Sequence, residues 1–124
     1  MSSGEQISGE GLAQTIAEYA SERKALDIVQ LDLRETISYT DYFVICTGRT
    51  DRQVKAIHDG IHFGMKTGRG ILPRRVEGLP QAKWILMDYL DVVVHLFTPE
   101  LREFYRLEQL WGEAPALAIA GASQ

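Results

Sequence analysis

The chain has 124 residues, of which 45% are apolar and 24% charged, and a formal net charge of −4. These totals describe one globular domain, able to bury about two thirds of the surface its unfolded chain would expose. They exclude a disulfide framework, because there is one cysteine, a membrane-spanning helix, because no apolar run approaches ~18 residues, and a general affinity for nucleic-acid backbone, because the charge is acidic.

Residues 1–10 are small and polar and are expected to form a flexible N-terminus without the arginines of a transit peptide. From about Gly11 to Lys24 an amphipathic helix is predicted, since Leu12, Ile16 and Tyr19 recur at helical spacing with Ala13, Ala17 and Ala20 beside them. "DIVQLDL" alternates, putting Val29, Leu31 and Leu33 on one face of a strand and Gln30 and Asp32 on the other. "RETISYT" is a polar connector, and "YFVICT" is the near-continuous apolar run of a strand buried on both faces. Within it Cys46 reads as a small buried hydrophobe, which suits a reducing, cytoplasmic setting.

Gly48 ends that strand, and Thr50 or Asp51 caps a helix whose inward stripe is Val54, Ile57, Ile61 and Met65. Gly60 and Gly64 weaken this helix, and their spacing of four would let another backbone approach. "TGRG" closes it. After a short strand at Leu72 to Glu77 and a turn at "GLPQ", "KWILMDYLDVVVHLF" reads as a hairpin of Trp84–Tyr89 and Val92–Phe97. Leu90 is out of place in its turn, because tight turns favour glycine or asparagine, which tolerate positive φ. Thr98-Pro99-Glu100 starts a last helix by capping hydroxyl, first-turn proline and acid, with Leu101, Phe104, Leu107 and Trp111 predicted inward. Residues 112–124 are a small-residue tail, expected to be disordered. The predicted fold is α/β, in the order α-β-β-α-β-β-β-α, over a single domain at residues 11–111.

Strand, glycine, helix is an architecture that holds phosphate, but "GRTDRQV" carries neither dinucleotide nor Walker spacing, and Asp51 stands where an anion would sit. Nucleotide binding at Gly48 to Arg52 is therefore the weaker reading. "HDGIH" sets His58 and His62 four apart, a spacing that can hold zinc; without a third ligand or a glutamate base, two solvent-facing histidines are expected. His95, alone in an apolar strand, reads as structural. Asp88 and Asp91 lack the alternate-residue spacing of a metal-binding carboxylate pair. No catalytic residue, cofactor or metal is expected. Trp84 is the anomaly: Trp84, Leu86 and Asp88 share one strand face, and Ile85, Met87 and Tyr89 the other. Either helices cover both faces or one face is an exposed apolar patch that meets a partner.

Taken together, "DIVQLDL", "TDYFVICTG", "RQVKAI", "VEG", W-x-L-x-D, "DVVVHLF" and "LREFYRLEQLW" resemble, in order and spacing, the ribosomal silencing factor family, also called RsfS or Iojap-like, from about Gly11 to Trp111. The resemblance implies a mixed five-stranded sheet flanked by helices, shaped like a nucleotidyltransferase without its catalytic carboxylates. It implies no enzyme but a translation repressor, which binds the large ribosomal subunit through its fourteenth protein, blocks the small subunit when nutrients are scarce, and forms a homodimer when free. The competing possibility is a nucleotidyltransferase-related enzyme. Carried over by position, the partner surface is Trp84, Leu86, Met87, Asp88, Tyr89 and Asp91, with local rRNA contact open to Arg69, Arg74, Arg75, Arg102 and Arg106. Two residues depart from the family pattern. Leu90 stands where a glycine is usual, so a distorted or longer hairpin is expected. Thr50 replaces a serine and keeps the capping hydroxyl.

Overall fold

The computed structural model describes residues 8–110 and 114–119. The first helix, α1 (Gly9–Glu22), starts earlier than periodicity indicates, because Ser8 accepts the Gly11 N–H through its hydroxyl at 3.0 Å. Gly9 and Glu10, expected to be flexible, therefore belong to the helix; residues 1–7 lie outside the described ones. There follow β1 (Leu26–Asp32), β2 (Tyr42–Thr47), α2 (Asp51–Arg69), β3 (Arg75–Glu77), β4 (Trp84–Asp88) and β5 (Val92–Phe97). The chain continues through α3 (Pro99–Tyr105), α4 (Leu107–Leu110) and β6 (Ala116–Ile119).

One mixed sheet runs in the order β3-β4-β5-β2-β1-β6. Its centre is the parallel pair β2 and β5, and all six residues of each are buried, as two-sided burial of an apolar run requires. The other pairings are antiparallel. Helices α1 and α2 cover one face: Leu12, Ile16, Val54, Ile57, Ile61 and Met65 pack on Ile28, Val44, Cys46, Ile85, Met87, Val94 and Leu96. Gly60 and Gly64, with Gly68 a turn further on, make this packing possible by admitting side chains rather than a backbone. A Cβ at Gly64 would lie 2.5 Å from a ring carbon of Tyr19, and one at Gly60 would lie 2.4 Å from Cγ of Arg23.

The structure corrects the C-terminal part of the sequence reading. Part of the tail expected to be disordered is β6, which pairs with β1 from Ile28↔Ile119 to Leu31↔Ala116, so the sheet has six strands rather than five. β1 otherwise leaves a row of unpaired backbone groups, and a neutral Ala-Leu-Ala-Ile segment can satisfy them whatever its complexity. The last helix is not continuous either. Arg106 takes a left-handed φ of +49° and ends α3, so the helical phase is lost. Leu107 then reaches the core and Leu101 is half-buried, but Phe104, predicted inward, is 74% exposed; Trp111 is outside the described residues. Thr98 precedes α3 as predicted, yet its side chain makes no capping hydrogen bond.

The second sheet face holds a smaller cluster of Leu31, Leu33, Phe43, Ile45, Val93, Phe97 and Leu107. Among the described residues, Leu101 of α3 and Leu107 of α4 pack on it, with Ile37 and Ala114 beside them. Trp84 and Leu86 remain half-buried at its margin.

Candidate functional site

The alternation of β4 decides which of its side chains a partner can reach. Ile85 and Met87 point under α1 and α2 and are fully buried, whereas Trp84 and Leu86 point to the second face and are half-buried. Of the six residues carried over as the partner surface, Met87 and Tyr89 are therefore in the helix-side core, where nothing can touch them without unfolding. Asp88 is 6% exposed and holds the turn instead: its Oδ1 accepts the Leu90 N–H at 2.8 Å, and its Oδ2 accepts from Nε of Arg74 at 3.2 Å. Asp91 is exposed at the end of the hairpin.

Trp84 is neither sealed nor free. Its indole N–H donates to Nδ1 of His95 at 3.1 Å, and its ring lies 5.1 Å from that of Phe97 and 4.6 Å from that of Tyr105. His95 in turn lies 4.5 Å from Phe43, Phe43 lies 6.4 Å from Tyr39, and Tyr105 lies 5.0 Å from Phe104. The result is a continuous aromatic run along the second face, from Tyr39 to Phe104, with Phe43, His95 and Phe97 buried within it. Its two ends are 60% and 74% exposed, and Tyr105 is 42% exposed. Phe104 and Tyr105 are thus an exposed pair in contact beside half-buried Trp84, while Tyr39 is exposed at the far end, with buried Phe43 and His95 between. Two of its members were hidden from the sequence. Tyr39 sits in a polar connector, and Phe104 falls on the helical stripe assigned to the core.

At the hairpin end the chain neither lengthens nor opens. Tyr89 N–H donates to Val92 C=O at 2.9 Å and Asp91 N–H donates to Tyr89 C=O at 3.0 Å, closing a three-residue turn about Leu90 at φ +78°. A γ-turn with positive φ is strained for any residue with a Cβ. Leu90 is also 52% exposed, so it gains little by packing. Leu90→Gly is expected to raise unfolding stability by about 1 kcal/mol, the relieved strain outweighing the larger unfolded-chain entropy of glycine. Chemical denaturation of the two proteins checks this, and a lower midpoint for the glycine variant would refute it.

The other candidates dissolve into structure. At the start of α2, Thr50 Oγ1 accepts the Gln53 N–H at 3.1 Å, Gln53 Oε1 accepts the Arg49 N–H at 2.7 Å, and Gln53 Nε2 donates to the Lys24 carbonyl at 3.0 Å. Two of the N–H groups at this helix start, those of Arg49 and Gln53, are thus satisfied from within. Gly48 is there because a Cβ would sit 2.8 Å from the backbone nitrogen of Val54. His58 is buried rather than solvent-facing. Its Nδ1 lies 2.8 Å from Oδ1 of Asp59, and burial lowers its pKa although Asp59 pulls the other way. Among the described residues no three His, Cys, Asp or Glu side chains gather as a metal site. Burial pushes the Cys46 thiol up to about 12, which leaves it inert.

A cavity of about 470 Å³ lies between Asp27, Thr47, Arg102, Glu103, Arg106 and Gln109. Arg102 donates there to the Asp27 carbonyl and the Thr47 hydroxyl, and Arg106 pairs with Glu103 at 2.6 Å. The remaining arginines considered for RNA are engaged as well: Arg69 with Thr15, Arg74 with Asp88 and Arg75 with Glu77. No helix among the described residues is long and apolar enough to cross a membrane.

A family model described as "Ribosomal silencing factor during starvation" matches residues 6–124. A ribosomal silencing factor RsfS of Halalkalibacterium halodurans is 36% identical over 115 residues, covering 93% of this chain and 97% of that protein. Another, from Bacillus subtilis, is 43% identical over 94 residues, covering 76% of this chain and 79% of that protein. A solved structure of a Chromobacterium violaceum protein superposes with a TM-score of 0.82 at 31% identity, over 94% of this chain and 97% of that one.

Proposed function

Because the chain belongs to the ribosomal silencing factor family, we propose that it represses translation without catalysis, by docking on the large ribosomal subunit and obstructing the small one. The observation that carries this reading is the aromatic run from Tyr39 to Phe104, exposed at both ends, with Trp84 and Leu86 half-buried between them. Steric obstruction needs no reacting groups, only a rigid body held in the path of another. Aromatic anchors of this type supply the larger shares of interface energy.

Within this proposal the surface is Trp84, Leu86, Tyr39, Phe104 and Tyr105, with Asp91 at the hairpin end to meet a basic partner. The partner proposed is the fourteenth protein of the large subunit. The setting is the cytoplasm, where the ribosomes are, under nutrient limitation. In the absence of ribosomes a homodimer would cover the same apolar rings. Contact with rRNA would require one of the five arginines to exchange its internal partner for phosphate. An enzymatic reading finds less support, since two N–H groups at the start of α2 are already taken by Thr50 and Gln53.

Trp84→Ala is a poor probe, because it removes ring contacts from the fold itself. Tyr39→Ala and Phe104→Ala cut exposed rings instead. Each is expected to keep its unfolding midpoint and to weaken co-sedimentation with purified large subunits about tenfold, an effect of a little over 1 kcal/mol. A double variant that sediments like the parent protein, and still blocks subunit joining, would remove the face from consideration.

A further inference from the structure

We propose that His95 is the positioning residue of the docking face: its Nδ1 takes the indole N–H of Trp84, so that the partner meets a fixed and wholly apolar ring. This deepens the docking reading above and rests on it.

The N–H is the indole's single hydrogen-bonding group, and at 3.1 Å from Nδ1 of His95 it is spent inside the protein. The two residues are diagonal across the strands, since Trp84 stands opposite Phe97 and His95 opposite Leu86. The imidazole cannot swing away. Phe43 meets it edge-on at 4.5 Å, and Phe97 lies nearly parallel to it, 9° from coplanar orientation at 6.1 Å. To accept at Nδ1 the ring must carry its proton on Nε2, and that nitrogen is buried without a partner among the described residues.

An orphaned donor is a cost that a leucine or phenylalanine at this position would not incur. Every other residue of β5 is apolar, namely Val92, Val93, Val94, Leu96 and Phe97, so filling space does not account for a histidine here. The acceptor it offers to Trp84 does. With that bond made, the partner's cleft needs an apolar lining and no acceptor of its own. With it broken, the indole must either bury a bare N–H or turn it toward the interface.

Two substitutions separate this role from mere packing, both made in a Trp111→Phe background so that Trp84 is the one remaining tryptophan. His95→Asn places an amide oxygen where Nδ1 was; His95→Leu fills the space with no acceptor. His95→Asn is expected to bind large subunits within about threefold of the parent, and His95→Leu about tenfold more weakly, the loss typical of one orphaned buried donor. The emission maximum of Trp84 should coincide in the parent and the asparagine variant and move in the leucine variant, to the blue where the bare N–H stays buried and to the red where it turns to water. Parent-like binding by His95→Leu overturns the proposal, and so does equal weakening in both variants. If the parent itself fails to sediment with large subunits, the docking reading falls. The emission spectra then still decide whether His95 fixes the indole, and coincident maxima in all three proteins would say that it does not.

Discussion

Gly78→Ala is expected to destabilise the protein by about 3 kcal/mol or more, the scale of forced backbone strain combined with disrupted packing. Gly78 has φ +92°, a conformation open to glycine and strained for alanine. A Cβ there would lie 2.0 Å from the carbonyl oxygen of Trp84 and 3.3 Å from Cα of Ile85. Both atoms are backbone, so no rotamer change relieves the overlap; the entry of β4 has to move and carry Trp84 with it. The variant should therefore lose stability and large-subunit binding together. Gly70 is the control. It too has positive φ, +68°, but nothing lies within 4 Å of its missing Cβ, so Gly70→Ala should cost about 1 kcal/mol. Denaturant titration of the pair checks this, and equal losses would show that the contact with Trp84 is not what glycine relieves.

Acid is expected to weaken the fold well before its carboxylates titrate. Burial lowers the pKa of His95 from 6.5 to about 4. Between those values the unfolded chain binds a proton that the folded chain refuses, so stability is complete above pH 6.5 and falls as pH drops toward 4. At about pH 5 the loss from this group is on the order of 2 kcal/mol. His58, also lowered by burial, adds a loss of the same sign. Asp32 and Asp59 act in a separate window. Arg34 lowers the pKa of Asp32 by a side-chain hydrogen bond. For Asp59 burial opposes, but bonds to His58 and Lys55 prevail. Their support is present above the carboxylate range and vanishes as pH falls through it. Unfolding free energies measured from pH 7.5 to 4.5 should fall steeply for the parent and more gently for His95→Asn. Matching slopes would assign the acid sensitivity elsewhere.

Much of this was legible in the sequence, and the failures have identifiable physical causes. Two-residue alternation placed Trp84 and Leu86 together, opposite Ile85 and Met87, and the fold keeps that division. Alternation does not say which face the helices will take, so Met87 and Tyr89 were carried into a partner surface from which burial removes them. Thr50 was expected to cap α2 and does so through its hydroxyl, while the part Gln53 takes in that cap depends on where its side chain folds. Leu90 was recognised as a misfit from its type alone, although the strained closure at φ +78° is a matter of turn geometry that no pattern encodes. Phe104 was misplaced because one left-handed residue, Arg106, resets the helical phase. His58 was placed in solvent, yet it stands four residues after Val54 and seven before Met65, on the side of α2 that packs inward. The strand at Ala116–Ile119 was missed because its pairing is dictated by the edge of β1, far away in sequence, rather than by its own composition.

The parallel pair at the heart of the sheet also governs how the molecule is made. Tyr42 aligns with Val92 and Thr47 with Phe97, about fifty residues apart along the chain, so no local hairpin can assemble the centre. During synthesis the run from Tyr42 to Thr47 must wait, oily on both sides, until the segment through Phe97 has emerged. Nascent chains halted between those points should therefore be sticky and dependent on chaperones, whereas release a few residues beyond Phe97 lets the middle of the sheet close.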